Sequence, residues 1–200
     1  AKWAANSDGP LTLHAHSSLA HVPFEALLVD GSPLGALIPV RRTLLGVPSR
    51  SLGAGSAPVG AVGHHDASLH CGLERAALGG VVGSAAQLRS SLGPNQLIWV
   101  CGHGSTGAGF RGGISDAAGA PVLDAADFLA ADLSGSTVVL ESCWSGRSVG
   151  HRFGEQLSLA TAALVAGASA VVASTFPLPI SDACTGEVSG LLEGGGLAEQ

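Results

Sequence analysis

Two residues of this sequence combine side chains and surroundings suited to nucleophilic chemistry. Cys143 follows the apolar run Thr137-Val-Val-Leu140 through Glu141 and Ser142, and His103 stands in Cys101-Gly-His103-Gly104 directly after Leu97-Ile-Trp-Val-Cys101. A cysteine attacks well at neutral pH only when a base or a positive field raises its thiolate fraction, and a neighbouring imidazole does that. The chemistry is acyl transfer, with backbone amides around Gly104 and Cys143 as donors to the oxyanion. Taken singly, a cysteine after an apolar strand is ordinarily a small buried hydrophobe, and a histidine in a turn ordinarily bonds to backbone. The pair carries the signal.

The elements that must position this pair follow from the apolar runs. Leu97–Cys101 and Thr137–Leu140 are continuous and apolar, as strands buried on both faces of a parallel sheet are. Pro58–Gly63 and Ala168–Ala173 are expected as further core strands. Between them lie helical patterns at Leu73–Leu78, at Ser84–Leu92 with Ser84 as N-cap, at Asp124–Ala131 with an acidic first turn, and at Gly154–Ala166 ended by Gly167. Near the start, Leu11–His16 alternates like a strand, one helical turn begins at Pro23, and Leu34–Leu45 reads as extended. The segment Gly107–Gly119 is expected to be a hairpin or loop. Phe176–Pro179 is a loop because of its prolines, and Ser181 opens a last helix, with Asp182 in a capping role. The alternation is that of an α/β fold, and such sheets gather reactive groups outside the carboxyl ends of their strands, where His103 and Cys143 both fall.

Composition bounds the rest. A chain of 200 residues, 46% hydrophobic and 12% charged, buries enough apolar surface to fold, and a single domain over residues 1–200 is expected. The absence of methionine, even at position 1, points to a piece of a longer polypeptide. Nine Lys and Arg against 15 Asp and Glu give a net charge of −6 with no basic cluster, which argues against nucleic-acid binding. No window approaches the roughly 20 apolar residues that cross a bilayer, and the first residues lack a signal-peptide core, so a cytoplasmic location without a membrane partner is expected. Cys71, Cys101, Cys143 and Cys184 show no framework spacing, and reduced thiols are expected.

Cys101-Gly-His103-Gly104 after one strand and Glu141-Ser-Cys143-Trp-Ser-Gly146 after the next resemble a CHAT domain, a family of the caspase-like cysteine peptidase superfamily. Ala20-His-Val-Pro-Phe-Glu-Ala-Leu27 is similar to that family's N-terminal motif, and Ser174–Asp182 to its strand-loop-helix after the last core strand. The resemblance implies a caspase-like three-layer sandwich, with a mostly parallel sheet between helices on both faces. It implies His103 and Cys143 as the catalytic dyad of an endopeptidase that needs no cofactor. Glu141 departs from the small neutral residue common in CHAT domains and is more like the acidic-Ser-Cys pattern of metacaspases. In caspase-like peptidases the residue two before the nucleophile points into the pocket for the residue preceding the cut bond, so a carboxylate there implies Arg or Lys at P1. Asp66 is a candidate for a second wall of that pocket.

Other readings compete. Glu141 as a strand-end carboxylate meeting an amide or Arg147 is the plain alternative to a pocket role. The string Gly102-His-Gly104-Ser-Thr-Gly107 satisfies the dinucleotide GxGxxG pattern, but Ala108–Gly113 is a poor helix former and the pattern needs a helix there. His64, His65, Cys101, His103 and Cys143 have zinc-ligand chemistry without the spacing of a ribbon or finger. No Gly-x-Ser-x-Gly elbow supports a serine hydrolase. The main functional alternative is a non-catalytic interaction module of the same fold. CHAT-like domains are often joined to helical repeats and switched on by a partner, which makes an adjoining domain or regulatory protein the expected partner, and Gly104–Gly119, with Arg111, the expected activation loop.

Overall fold

The computed structural model describes residues 11–14, 22–38, 40–43, 60–65, 69, 84–106, 112–147, 149–150, 156–175 and 177. The backbone divides into two compact units, Ala1–Ser49 with Gly150–Gln156, and Arg50–Val149 with Leu157–Gln200. In the first unit, β1 (Leu11–His14) is followed by a 3-10 turn at Phe24–Ala26 behind Pro23. Then come the hairpin of β2 (Leu28–Val29) and β3 (Ser32–Pro33), the single helical turn α1 (Leu34–Leu37), and β4 (Val40–Thr43), parallel to β1. Asp30 and Gly31, at φ 51° and 83°, supply the two left-handed residues that a two-residue hairpin turn requires. The extended reading from Leu34 is corrected at α1. Pro33 presets the backbone before a helical start, and the Ile38 N–H closes the turn on the Leu34 carbonyl at 3.1 Å.

The unit is clipped by Arg42, whose guanidinium donates to both carboxylate oxygens of Glu25 and to the Val22 carbonyl and lies over the Phe24 ring, 5.7 Å from its centroid. Burial alone would raise the Glu25 pKa, but the hydrogen bonds and charge of Arg42 outweigh it and hold the carboxyl below its ordinary value.

In the second unit the chain runs β5 (Gly60–His65), α2 (Ala85–Ser91), β6 (Gln96–Cys101), β7 (His103–Thr106), β8 (Gly112–Ser115), β9 (Pro121–Asp124), α3 (Ala125–Leu129) and β10 (Thr137–Glu141). Next in chain order are the short paired strands β11 (Val149–Gly150) and β12 (Gln156–Leu157), of which Gly150 and Gln156 are counted with the first unit, and then the helix α4 (Leu159–Val165) and β13 (Ala170–Ala173) of the second. Four strands form one parallel sheet in the order β13-β10-β6-β5. The fold class is α/β, as expected.

Side chains alternate across the sheet and divide its two faces. Ile98, Val100, Val138 and Leu140, each 0–2% exposed, pack with Leu88 of α2, Phe128 of α3, and Leu159, Ala162 and Ala163 of α4. Trp99, Cys101 and Val139 face the other way and are buried with Leu69, Leu97 and Val172. All three described helices of this unit therefore cover one face, while the opposite face is equally withdrawn from water. The helices expected at Leu73–Leu78 and from Ser181, together with Asp66, Asp182 and Arg111, lie outside the described residues.

Caps set the helix boundaries. Ser84 accepts from the Gln87 N–H and opens α2, and Asp124 and Asp127 form a reciprocal capping box on α3. Ser158 accepts from the Thr161 N–H at 3.0 Å and caps α4, which starts at Leu159 rather than at the expected Gly154, because Gln156–Leu157 is drawn into β12. Gly167, at φ 106°, ends α4. At the amino edge of the sheet the buried Ser136 hydroxyl accepts from the Gln96 N–H and donates to the Gly93 carbonyl, tying the start of β6 to the approach to β10.

Candidate active site

The register of β5, β6 and β10 places His65, Cys101 and Glu141 in one row at the carboxyl edge of the sheet. Beyond this row the two central strands leave the sheet together, and the Gly102 N–H donates to the Glu141 carbonyl at 3.4 Å. His103 does not end β6. It opens β7, the first strand of a separate antiparallel sheet β7-β8-β9, where it pairs with Ser115, and the Ser115 hydroxyl donates to the His103 carbonyl at 3.3 Å. The histidine is exposed and its backbone is held. Continuation into a strand also argues against the dinucleotide reading, since the described residues after Gly104 run on as β7 to Thr106.

The glycines on either side of His103 are steric necessities. A Cβ on Gly102 would overlap the Ile114 methyl and meet the Ser115 carbonyl at 3.0 Å. A Cβ on Gly104 would overlap the Cys143 carbonyl, lying 2.6 Å from its carbon and 2.9 Å from the Cys143 nitrogen. Gly104 thus lets the backbone after the histidine rest directly on the backbone of the cysteine. The sequence suggests that glycine keeps the imidazole uncovered; the structure adds that it brings two chain segments together.

Cys143 begins a tight turn after β10. Trp144, the next residue, adopts φ 62°, an uncommon conformation for a bulky side chain and one that clusters at functional sites. Its ring is half-buried, with the Arg147 guanidinium 4.6 Å from the ring centroid, and the Arg147 N–H closes the turn on the Trp144 carbonyl at 2.9 Å. Arg147, weighed as a partner for Glu141, thus stacks on Trp144. Cys143 is half-buried and not in a disulfide. Cys101, 1% exposed, is disulfide-bonded. The expectation of reduced thiols therefore fails at Cys101, because sequence spacing does not show which cysteines a fold brings within bonding reach.

Glu141 is half-buried with Oε2 shielded from water, on the face of Cys101 and Val139. Among the described residues no three His, Cys, Asp or Glu side chains are grouped as metal ligands, and the disulfide removes Cys101 from the zinc set considered above. No helix among the described residues is long and apolar enough to cross a membrane.

Fold and edge geometry define a class: an α/β protein whose parallel sheet delivers a histidine segment and a cysteine turn into backbone contact at its carboxyl edge. The match to a known family is more particular. Residues 64–186, more than half of the chain, match the CHAT domain, and the chain belongs to that caspase-like family. No curated protein matches it significantly.

Proposed function

We propose that the chain is a cysteine endopeptidase in which Cys143 and His103 form the dyad. The observation that carries this reading is the packing of Gly104 on the Cys143 backbone, which holds both residues at one sheet edge in a family with a caspase-like fold. In the proposed cycle the Cys143 thiol gives its proton to His103, and Sγ bonds to the scissile carbonyl carbon. The amides of Gly104 and Cys143 serve as donors to the resulting oxyanion. Collapse breaks the C–N bond, and the leaving amine takes the proton from His103. A water molecule, deprotonated by His103, then releases the acyl group and restores the thiol.

Glu141 is assigned to the P1 pocket, where a carboxylate screened from water favours Arg or Lys, and Asp66 to a second wall of it. A protein or peptide substrate, a cytoplasmic site of action, and control by an adjoining domain or regulatory partner complete the proposal.

The test is labelling with arginyl and lysyl electrophilic ketones, with the adduct located by mass spectrometry. Modification confined to Cys143, lost in Cys143→Ala and His103→Ala, is the expected result. Glu141→Gln should keep the adduct with a neutral probe and lose the preference for basic ones. An unlabelled chain, tested with its full-length protein and partners, would leave the interaction-module reading in its place.

A further inference from the structure

Two serines flank the candidate nucleophile, and the structure treats them differently. Ser142 Oγ is buried without a hydrogen-bond partner among the described residues. Ser145 Oγ, in a residue only 3% exposed, is bonded to three backbone groups on two segments of the chain. It lies 3.0 Å from the Ser142 carbonyl and 3.2 Å from the Leu140 carbonyl, sharing its single proton between them, and it accepts from the Ser174 N–H at 3.2 Å. The same residue's carbonyl receives the Ala160 N–H of α4 at 3.3 Å, and the next amide, Gly146 N–H, donates to the Ser174 carbonyl at 2.8 Å.

These bonds converge on one short span. Leu140 and Ser142 lie three residues and one residue before Cys143, Ser174 is the first residue beyond β13, and Ala160 lies in the first turn of α4. The Ser145 hydroxyl bridges Leu140, Ser142 and Ser174 while its backbone carbonyl receives α4, so this one residue fixes where the turn starts and where it returns, and with them the Cys143 amide and Cβ between those points. Trp144, held at φ 62° inside the bridged span, needs such an outside constraint, because a bulky residue at positive φ persists only where its surroundings over-determine it.

We infer that Ser145 is the positioning residue of the nucleophile turn, locking the Cys143 amide and thiol by bridging the exits of β10 and β13. The kinetic consequence rests on the peptidase reading above, whereas the geometric one does not. Without the hydroxyl the side-chain bridge from Leu140 and Ser142 to the Ser174 N–H is lost, and the turn is tied to the exit of β13 through the Gly146 N–H bond with less to fix its position against Gly104. A misplacement of about 1 Å in a reacting group costs on the order of 10²-fold in rate.

The experiment compares wild type with Ser145→Ala and with Ser145→Cys, a near-isosteric replacement with a weak donor, each checked for folding by circular dichroism and thermal unfolding. Turnover of Arg and Lys peptides should fall on the order of 10²-fold in kcat for Ser145→Ala, less for Ser145→Cys, with KM within about threefold. The pH profile of Cys143 alkylation by iodoacetamide should shift in the same order, and amide exchange at Ser174 should accelerate. Folded Ser145→Ala with wild-type kcat and an unchanged alkylation profile would overturn the assignment. If wild type cleaves no such peptide, the peptidase reading falls while Ser145 is still judged by alkylation and exchange. If Ser145→Ala does not fold, Ser145→Cys decides by the same two readouts.

Discussion

At the scale of single residues, the contact between Gly104 and Cys143 leaves no room for a side chain at position 104. An alanine at position 104 has nowhere to put its methyl except into the Cys143 peptide, so either the β7 backbone or the nucleophile turn must move. Gly104→Ala should therefore lose labelling of Cys143 by the peptidyl ketones while the chain still folds and binds no less iodoacetamide at saturation. Wild-type labelling kinetics in this variant would show that the approach is not needed. The sequence reveals the types, since a histidine between glycines and a cysteine before Trp-Ser-Gly are visible as strings. It does not reveal the contact, because glycines serving conformational freedom and glycines serving close approach are written alike.

Elements were legible where a local signal fixed them and misread where pairing decided. Ser84 and Asp124 announce their helices, since a cap is a short-range interaction among neighbouring residues. The amino end of α4 differs from the sequence reading because Glu155, Gln156 and Leu157 are good helix formers, and only pairing with β11 removes Gln156 and Leu157 from the helix. The sheet β7-β8-β9 was foreseen only as a hairpin or loop. Its register depends on the bulge between Ile114 and Ser115 and on the Asp116 carboxylate, which accepts from the Ala118 and Ala120 N–H groups to turn β8 into β9. At this scale a prediction tests the capping box. Asp124→Ala should cost about 1 kcal/mol in chemical denaturation while changing kcat per folded molecule little, because what it removes is the capping box of α3, on the helix-covered face.

The whole molecule consists of two compact units, and they answer to different conditions. In the first, the Glu25 carboxylate bound by Arg42 has a lowered pKa, so the stability it contributes is present above the ordinary value of 4.5 and is lost as pH falls through the lower folded value. Amide exchange in residues 22–43 should be faster in Glu25→Gln than in wild type at neutral pH, and the two should converge in acid. A gap independent of pH would mean that the carboxylate's charge is not what holds the clip. Legibility also divided between the units. The Pro-Phe-Glu motif was visible, but its partner Arg42 is 17 residues away and nothing local marks it. In the second unit, continuous apolar runs announced the parallel sheet, since strands covered on both faces need no alternation.

The disulfide at Cys101 bears on how any thiol chemistry of this protein is read. Cys101 shares its row of the sheet with Glu141 and stands two residues before His103. On the peptidase reading, dithiothreitol added to keep Cys143 reduced also acts on the second sulfur centre, cutting the disulfide at Cys101. Rates recorded with and without reductant therefore belong to two covalent species of the same chain, and the cross-link count should be measured alongside every rate.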